Sequence, residues 1–413
     1  MLQTIFYLII GIIIFDYVLD RVLDYLNSTY WSNTLPQELE GIYEAEKYKK
    51  SQDYEKVTTR FSIITGSLST IVLLLIIYYG GFAYLDNFVR QYTTHPILMA
   101  LMFFGIIGFA ADILLTPISL YSTFVIEEKY GFNKTTLKTY FFDKVKGWLL
   151  GAIIGGLLIS LIVWIYISTN EWFWVIAWAA IGGFTIFMTM FYSQIIVPLF
   201  NKQTPLEDGE LRNSIESFAQ KVGFKLTNIF VMDGSKRSSK ANAYFSGLGS
   251  KKRIVLFDTL ITEHTNEELV GVLAHEIGHY KKKHILTGTI ISVLNIGLLL
   301  FILSFFISNP LLSQALGTNE GSFHVGFIAF GLLYSPLSTF LSVIMNIVSR
   351  KNEFAADRFA GENYSPKPLQ DALKTLSVNH LSNLRPHPVY VFFHYSHPPL
   401  LQRLKALGKI KSN

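Results

Sequence analysis

The chain has 413 residues, 50% of them hydrophobic and 16% charged, with a mean hydropathy of +0.35, values suited to lipid more than to a soluble core. Its net charge of +5 comes from Lys and Arg in separated segments, not from one aromatic-studded basic stripe, which argues against a nucleic-acid partner. With no cysteine, disulfides, thiolate catalysis and Cys-ligated zinc are excluded, and any metal must be held by His, Asp or Glu.

The opening stretch Leu2 to Val18 has no basic flank before it and no small-residue cleavage site after it, so it reads as a spanning helix and not as a removable signal peptide. Apolar runs long enough for a hydrocarbon core of roughly 30 Å follow at 61–84, 97–125, 148–168, 172–197, 285–308 and 325–348. With 2–19 they predict seven transmembrane helices. Residues 1–197 form an N-terminal membrane region of five spans. Residues 198–413 form a second region that carries the last two.

Arg21, Lys47, Lys49, Lys50, Lys56 and Arg60 lie between the first two spans, and Lys129, Lys134, Lys138, Lys144 and Lys146 between the third and fourth. The 85–96 loop offers only Arg90 and the 309–324 loop no cation. This alternation predicts an outward or lumenal N-terminus, with the 198–284 segment and the C-terminus in the cytoplasm. Asp16, Asp112, Gln194, Asn295 and Asn346 fall inside spans, where a polar group requires a partner or water. They read either as interhelical hydrogen bonds or as the lining of a wet cavity.

In the 198–284 segment, Ile229–Met232 and Ile254–Phe257 read as short strands. Ala241-Asn242-Ala243-Tyr244-Phe245-Ser246 between them reads either as an edge strand able to pair with a peptide backbone or as an ordinary hairpin arm. Thr265-Asn266-Glu267-Glu268 matches a capping box, and Leu269, Val272, Leu273 and Ile277 recur at helical spacing, so a helix starts at Thr265. It carries His275-Glu276-Ile277-Gly278-His279. Imidazoles four apart share one helical face and can grip a single cation, for which zinc is the natural occupant. Glu276, next to the first ligand, is placed as general base.

A catalytic zinc needs a third protein ligand. Just past the seventh span, Glu353 and Asp357 lie one helical turn apart on a small-residue face with Ala355 and Ala356. Glu353 is the expected third ligand, and Asp357 the acceptor for a ligand imidazole. Lys281-Lys282-Lys283 after the motif reads as a span-end anchor, and His284 as an adventitious ligand.

The chain resembles the CAAX prenyl protease 1 family, polytopic zinc metalloendopeptidases of the gluzincin type. The resemblance rests on HEIGH with Phe124–Asn133, Ile196–Lys202, Asn242–Phe245, Glu353–Asp357, and Tyr395–Leu400 with Arg403. It implies one Zn2+ per chain, held by His275, His279 and Glu353, with Glu276 activating water. It further implies that Asn242 touches the substrate backbone, that His397 helps stabilise the oxyanion, and that Asp357 and Arg403 brace the site. The fold implied is mainly α: seven transmembrane helices around a chamber, with a small cytoplasmic α/β zinc-peptidase region.

The expected activity is hydrolysis of peptide bonds by zinc-activated water, removing the C-terminal tripeptide of prenylated CAAX proteins. The partners implied are a peptide or protein substrate, with a prenyl group where the substrate is a CAAX protein, and membrane lipid. The membrane is the bacterial inner membrane or the endoplasmic reticulum, according to source. The brief loop between spans six and seven and the short tail after Arg403 keep a second role open, membrane-protein quality control without a prenyl requirement. An intramembrane-cleaving protease is disfavoured by the lysines directly after the motif. A transporter or scaffold with structural metal leaves Glu276, beside two ligands, unexplained.

Overall fold

The computed structural model describes residues 1–224, 229–248 and 252–410. Seven of its helices are long and apolar enough to cross a bilayer: Leu2–Ser28, Ala45–Tyr78, Pro96–Tyr130, Leu137–Thr169, Phe173–Phe200, His284–Ser304 and Phe323–Asn363. The number agrees with the apolar runs, but the ends do not, because a helix continues past its apolar stretch wherever the next residues still pack. The second span begins at Ala45 and stops at Tyr78. Residues 81–84 belong to a separate helix, Gly81–Arg90, entered through Gly80 at φ 68°. Its buried Phe82, Ala83, Asp86 and Val89 recur every three or four residues and form one face. The seventh span runs 41 residues unbroken, carrying Glu353 and Asp357 on the same rod that leaves the apolar stretch.

The spans pack in sequence around a ring. The first lies against the second and seventh, the third against the fourth, the fourth against the fifth, and the fifth against the sixth. Helix Gly81–Arg90 links the second to the third, and helix Asn266–Lys281 touches both the sixth and the seventh. Only 6–17% of each span's most apolar window is buried. A helix in a solid bundle buries one face, whereas helices in a single-layer wall keep one side to lipid and the other to an interior space. Ser335, Ser338, Thr339 and Ser342 of the seventh span line one such space of about 410 Å³, with Asp20 and His394.

Polar residues inside the spans also join helices. Asp16 accepts from Ser335 Oγ at 2.5 Å, and Asp112 from Lys144 Nζ at 2.6 Å and Trp148 Nε1 at 2.9 Å. Asn346 Nδ2 donates to the Phe393 carbonyl at 2.7 Å. Interhelical bonding and a polar-lined space both occur, and Ser335 takes part in each.

Between the fifth and sixth spans lies a four-stranded sheet of order β1-β2-β4-β3, made of β1 Gln203–Pro205, β2 Ile229–Met232, β3 Ala243–Ser246 and β4 Arg253–Phe257. β2 and β4 are parallel, while β1 and β3 pair antiparallel to them. The three-residue β1, ending in Pro205, is too short to show alternation and was not foreseen. β3 is an edge strand, as one reading of 241–246 requires. Helices Glu210–Lys221 and Asn266–Lys281 share a core with the sheet through Ile215, Phe218, Ile254, Leu256, Leu269 and Leu273.

Close approach decides how helix Asn266–Lys281 sits. A Cβ on Gly278 would lie 3.1 Å from both the Ala356 Cα and its carbonyl oxygen, and one on Gly271 would lie 3.0 Å from Leu369 N. Glycine costs about 1 kcal/mol in a helix interior, a cost that contact with the seventh span offsets. Gly278→Val is expected to lose about 1–3 kcal/mol through overpacking, measured as a lower melting temperature in detergent together with lower metal content. Gly288→Ala, where nothing lies within 4 Å of an added Cβ, serves as the control that should melt like the parent. Equal melting of the Gly278 variant would show that the two helices do not need this contact.

Candidate metal centre and peptide cleft

Thr265 caps the helix as its spacing predicts: its hydroxyl accepts from Glu268 N at 3.3 Å, and Glu268 Oε2 accepts from Thr265 N at 3.4 Å. Ten residues on, His275 and His279 share a face with their Nε2 atoms 3.0 Å apart. From the seventh span, Glu353 brings Oε1 to 3.2 Å from His279 Nε2 and Oε2 to 3.5 Å from His275 Nε2. One ligand atom from each of the three lies within 4.8 Å of the others.

The donor set fits a metal on a second ground. Glu353 is 4% exposed, yet its Oε2 has no hydrogen-bond partner. A buried acceptor left without a donor costs about 1–3 kcal/mol, and a cation between the carboxylate and the two imidazoles would satisfy it. Two His nitrogens and a carboxylate suit zinc with an open fourth position.

Asp357, one turn beyond Glu353, places Oδ1 2.9 Å from His275 Nδ1. It receives a fork from Arg403 of helix Leu400–Leu407, with Nε on Oδ2 at 2.8 Å and Nη2 on Oδ1 at 2.6 Å. Such bidentate charge-assisted pairs fix orientation as well as adding energy. Arg403 Nη1 also comes to 3.5 Å from Glu353 Oε2. The Tyr395–Pro399 turn carries His397, whose largely exposed ring has Nε2 3.4 Å from Glu353 Oε1 and Nδ1 2.9 Å from Ser396 Oγ.

A cavity of about 720 Å³ joins these groups to β3: its wall includes His275, Glu276, His279, Glu353, His397, Arg403 and Asn242 through Phe245. Every sequence-predicted site residue therefore lies on one cleft except Asp357, which stands behind His275. The Tyr244 hydroxyl lies 3.3 Å from Ser193 Oγ and 3.4 Å from Gln203 Nε2. Burial raises the pKa of Glu276, while the His275 and His279 charges oppose it, a direction that suits a proton acceptor. Burial lowers that of His275, but the hydrogen bond it donates to Asp357 and the facing Glu353 carboxylate outweigh this and raise it to about 9. The carboxylates thus favour positive charge where the two rings meet.

Other groups hold the cleft and are invisible to motif reading. The segment before β3 is pinned from two sides. Lys240 Nζ donates to Glu127 Oε2 at 3.0 Å and to Tyr54 OH at 3.1 Å, over the Phe132 ring at 4.2 Å. Ala241 N donates to His380 Nε2 at 3.0 Å. Glu127 and Phe132 belong to the Phe124–Asn133 segment, whose docking on 237–240 is completed by Lys134 N to Arg237 O at 3.0 Å and Ser239 N to Phe132 O at 3.1 Å. The only available hint was the length of that segment's likeness to the family.

His380 accepts only while its Nε2 is unprotonated. Burial, aided by the nearby Lys240 and His264 charges, lowers its pKa from 6.5 to about 4. The folded state therefore disfavours a proton that the unfolded chain takes up near pH 6.5. The resulting stability is complete above that pH and is lost as pH falls toward 4. Melting temperatures across this window should drop less steeply for His380→Gln, which keeps an acceptor, than for the parent. Parallel curves would show that His380 does not carry the effect.

Residues 26–202 match the family described as CAAX prenyl protease N-terminal, five membrane helices, and residues 205–411 match Peptidase family M48. CAAX prenyl protease 1 of Saccharomyces cerevisiae is 35% identical over 98% of this chain and 95% of its own length. The Homo sapiens CAAX prenyl protease 1 homolog is 33% identical over 92% and 90%. The crystal structure of S. mikatae Ste24p superposes with a TM-score of 0.93 at 34% identity, covering 98% of this chain and 99% of that one. With its ring of spans and its paired histidines facing a buried glutamate, the chain belongs to the M48 metallopeptidases, as an integral membrane protease of the CAAX prenyl protease 1 family.

Proposed function

We propose that this chain removes the C-terminal tripeptide of prenylated CAAX proteins as a zinc metalloendopeptidase, with His275, His279 and Glu353 as the zinc ligands. The observation that carries the reading is the buried Glu353 carboxylate facing both Nε2 atoms of an HExxH helix, Oε1 toward His279 and Oε2, which makes no hydrogen bond, toward His275. The CAAX prenyl protease 1 relatives, matched over nearly their whole length, support the substrate class. Bound there, zinc would polarise the scissile carbonyl and increase the acidity of the attacking water.

The chain's own residues supply the rest. β3 offers its free edge to an extended peptide, so that Asn242 and the strand backbone hold the substrate in register against the HExxH helix. Glu276 takes the proton from the attacking water and returns it to the leaving amine. His397, at the cleft mouth, donates to the oxygen that gains charge in the tetrahedral intermediate. Asp357, locked by Arg403, accepts from His275 Nδ1–H and so fixes that ring with Nε2 toward the metal position. The basic first, third and fifth loops orient the cleft toward the cytoplasm.

Purified protein given matched prenylated and unprenylated CAAX peptides should release a tripeptide from the prenylated one. Equal cleavage of both would replace the CAAX role with general membrane-protein proteolysis, and cleavage of neither would remove the activity. Glu276→Gln should lower kcat by about 10²–10⁴ and still bind one zinc per chain by elemental analysis. Wild-type turnover in that variant would place the proton acceptor elsewhere.

A further inference from the structure

A ligand imidazole binds metal through one nitrogen and must donate its other N–H, and the acceptor of that proton fixes the tautomer and holds the ring in place. His275 has such an acceptor in Asp357. Among the described residues no carboxylate pairs with His279 on that side. Its Nε2 points at His275 Nε2 and Glu353 Oε1, and its Nδ1 lies 2.9 Å from the Nδ1 of His284. The two rings meet edge-on, with centroids 5.0 Å apart at 74°.

We infer that His284 is the positioning residue of the second imidazole, accepting the His279 Nδ1–H on its own unprotonated Nδ1 and so presenting His279 Nε2 to the metal. The inference rests on the ligand assignment proposed above. His284 is not a fourth ligand in this arrangement, because the two nitrogens of an imidazole diverge and His284 lies on the side of His279 away from Glu353.

Chain geometry supports the assignment. Helix Asn266–Lys281 and the sixth span His284–Ser304 are separated by only Lys282 and Lys283. Lys283 takes φ 59°, a left-handed conformation uncommon for a residue with a side chain. This turn reverses the chain tightly enough for the first residue of the span to reach back to His279. His284 also sits at the N-terminus of a 21-residue helix, where the dipole disfavours an imidazolium and favours the neutral acceptor. The first residue of a membrane span thereby becomes part of the metal centre, coupling the site to the place where the chain enters the bilayer.

Zinc affinity, measured by competition with a chromophoric chelator on full-length protein in detergent, tests this without reference to turnover. His284→Ala should weaken binding about ten- to a hundredfold, as loss of an orienting partner does. His284→Asn, whose Oδ1 stands where Nδ1 stood, should stay near the wild-type value. Wild-type affinity in His284→Ala, with His275→Ala and Glu353→Gln losing zinc, would overturn the role of His284 alone. Equal losses in His284→Ala and His284→Asn would also overturn it, pointing to direct ligation or general disruption. Full affinity in His275→Ala and Glu353→Gln would instead overturn the ligand assignment itself.

Discussion

The structure turns on one close approach: helix Asn266–Lys281 against the seventh span, where Gly278 meets Ala356 with no room for a further carbon. The two histidines ride on one helix and the glutamate on the other, so the distance between helix axes sets the distance between ligand atoms. With the backbones this near, Glu353 can stand 3.2 Å from His279 Nε2 and the Asp357 carboxylate can reach His275. A bulkier face would hold the same residues apart and leave their charges buried without partners, at several kcal/mol each.

Around that contact the chain builds a thin wall. Because little of each span is buried against its neighbours, the ring depends on hydrogen bonds between helices and on the structures that close its two ends. At one end Asp86 accepts from Ser322 and pairs with His324 and Arg90, tying helix Gly81–Arg90 to the start of the seventh span. At the other, Arg237 bridges Asp143 to the Phe200 carbonyl, and Asn201 bonds to Asp233, seating the sheet on the fourth and fifth spans. The metal centre belongs to this second end, and the sixth and seventh spans both feed into it.

Much of the fold was legible because its determinants are local. Apolar runs announce spans whatever they pack against, and the Thr265 capping box with its helical period announces the helix under the HEIGH motif. The ends of the spans were less legible: no local signal says that the second helix begins as early as Ala45, since its polar residues there are held by packing of Tyr48 and Gln52 rather than by lipid. β1 was missed because three residues cannot show a period. Lys240, Glu127 and His380 were missed as functional neighbours because their partners lie more than a hundred residues away in the chain.

The sequence by itself determined the solvent of the spans, their number, the helix that carries His275, Glu276 and His279, and the chemical types able to hold a metal, since composition and short-range period decide each of these. Only the tertiary structure decided that the Glu353 carboxylate faces both Nε2 atoms, that Arg403 locks Asp357, that β3 lies at a sheet edge on the same cleft, and that His284 turns back onto His279. Each of those depends on the crossing distance between elements far apart in the chain. Pattern within one element carries no information about that distance.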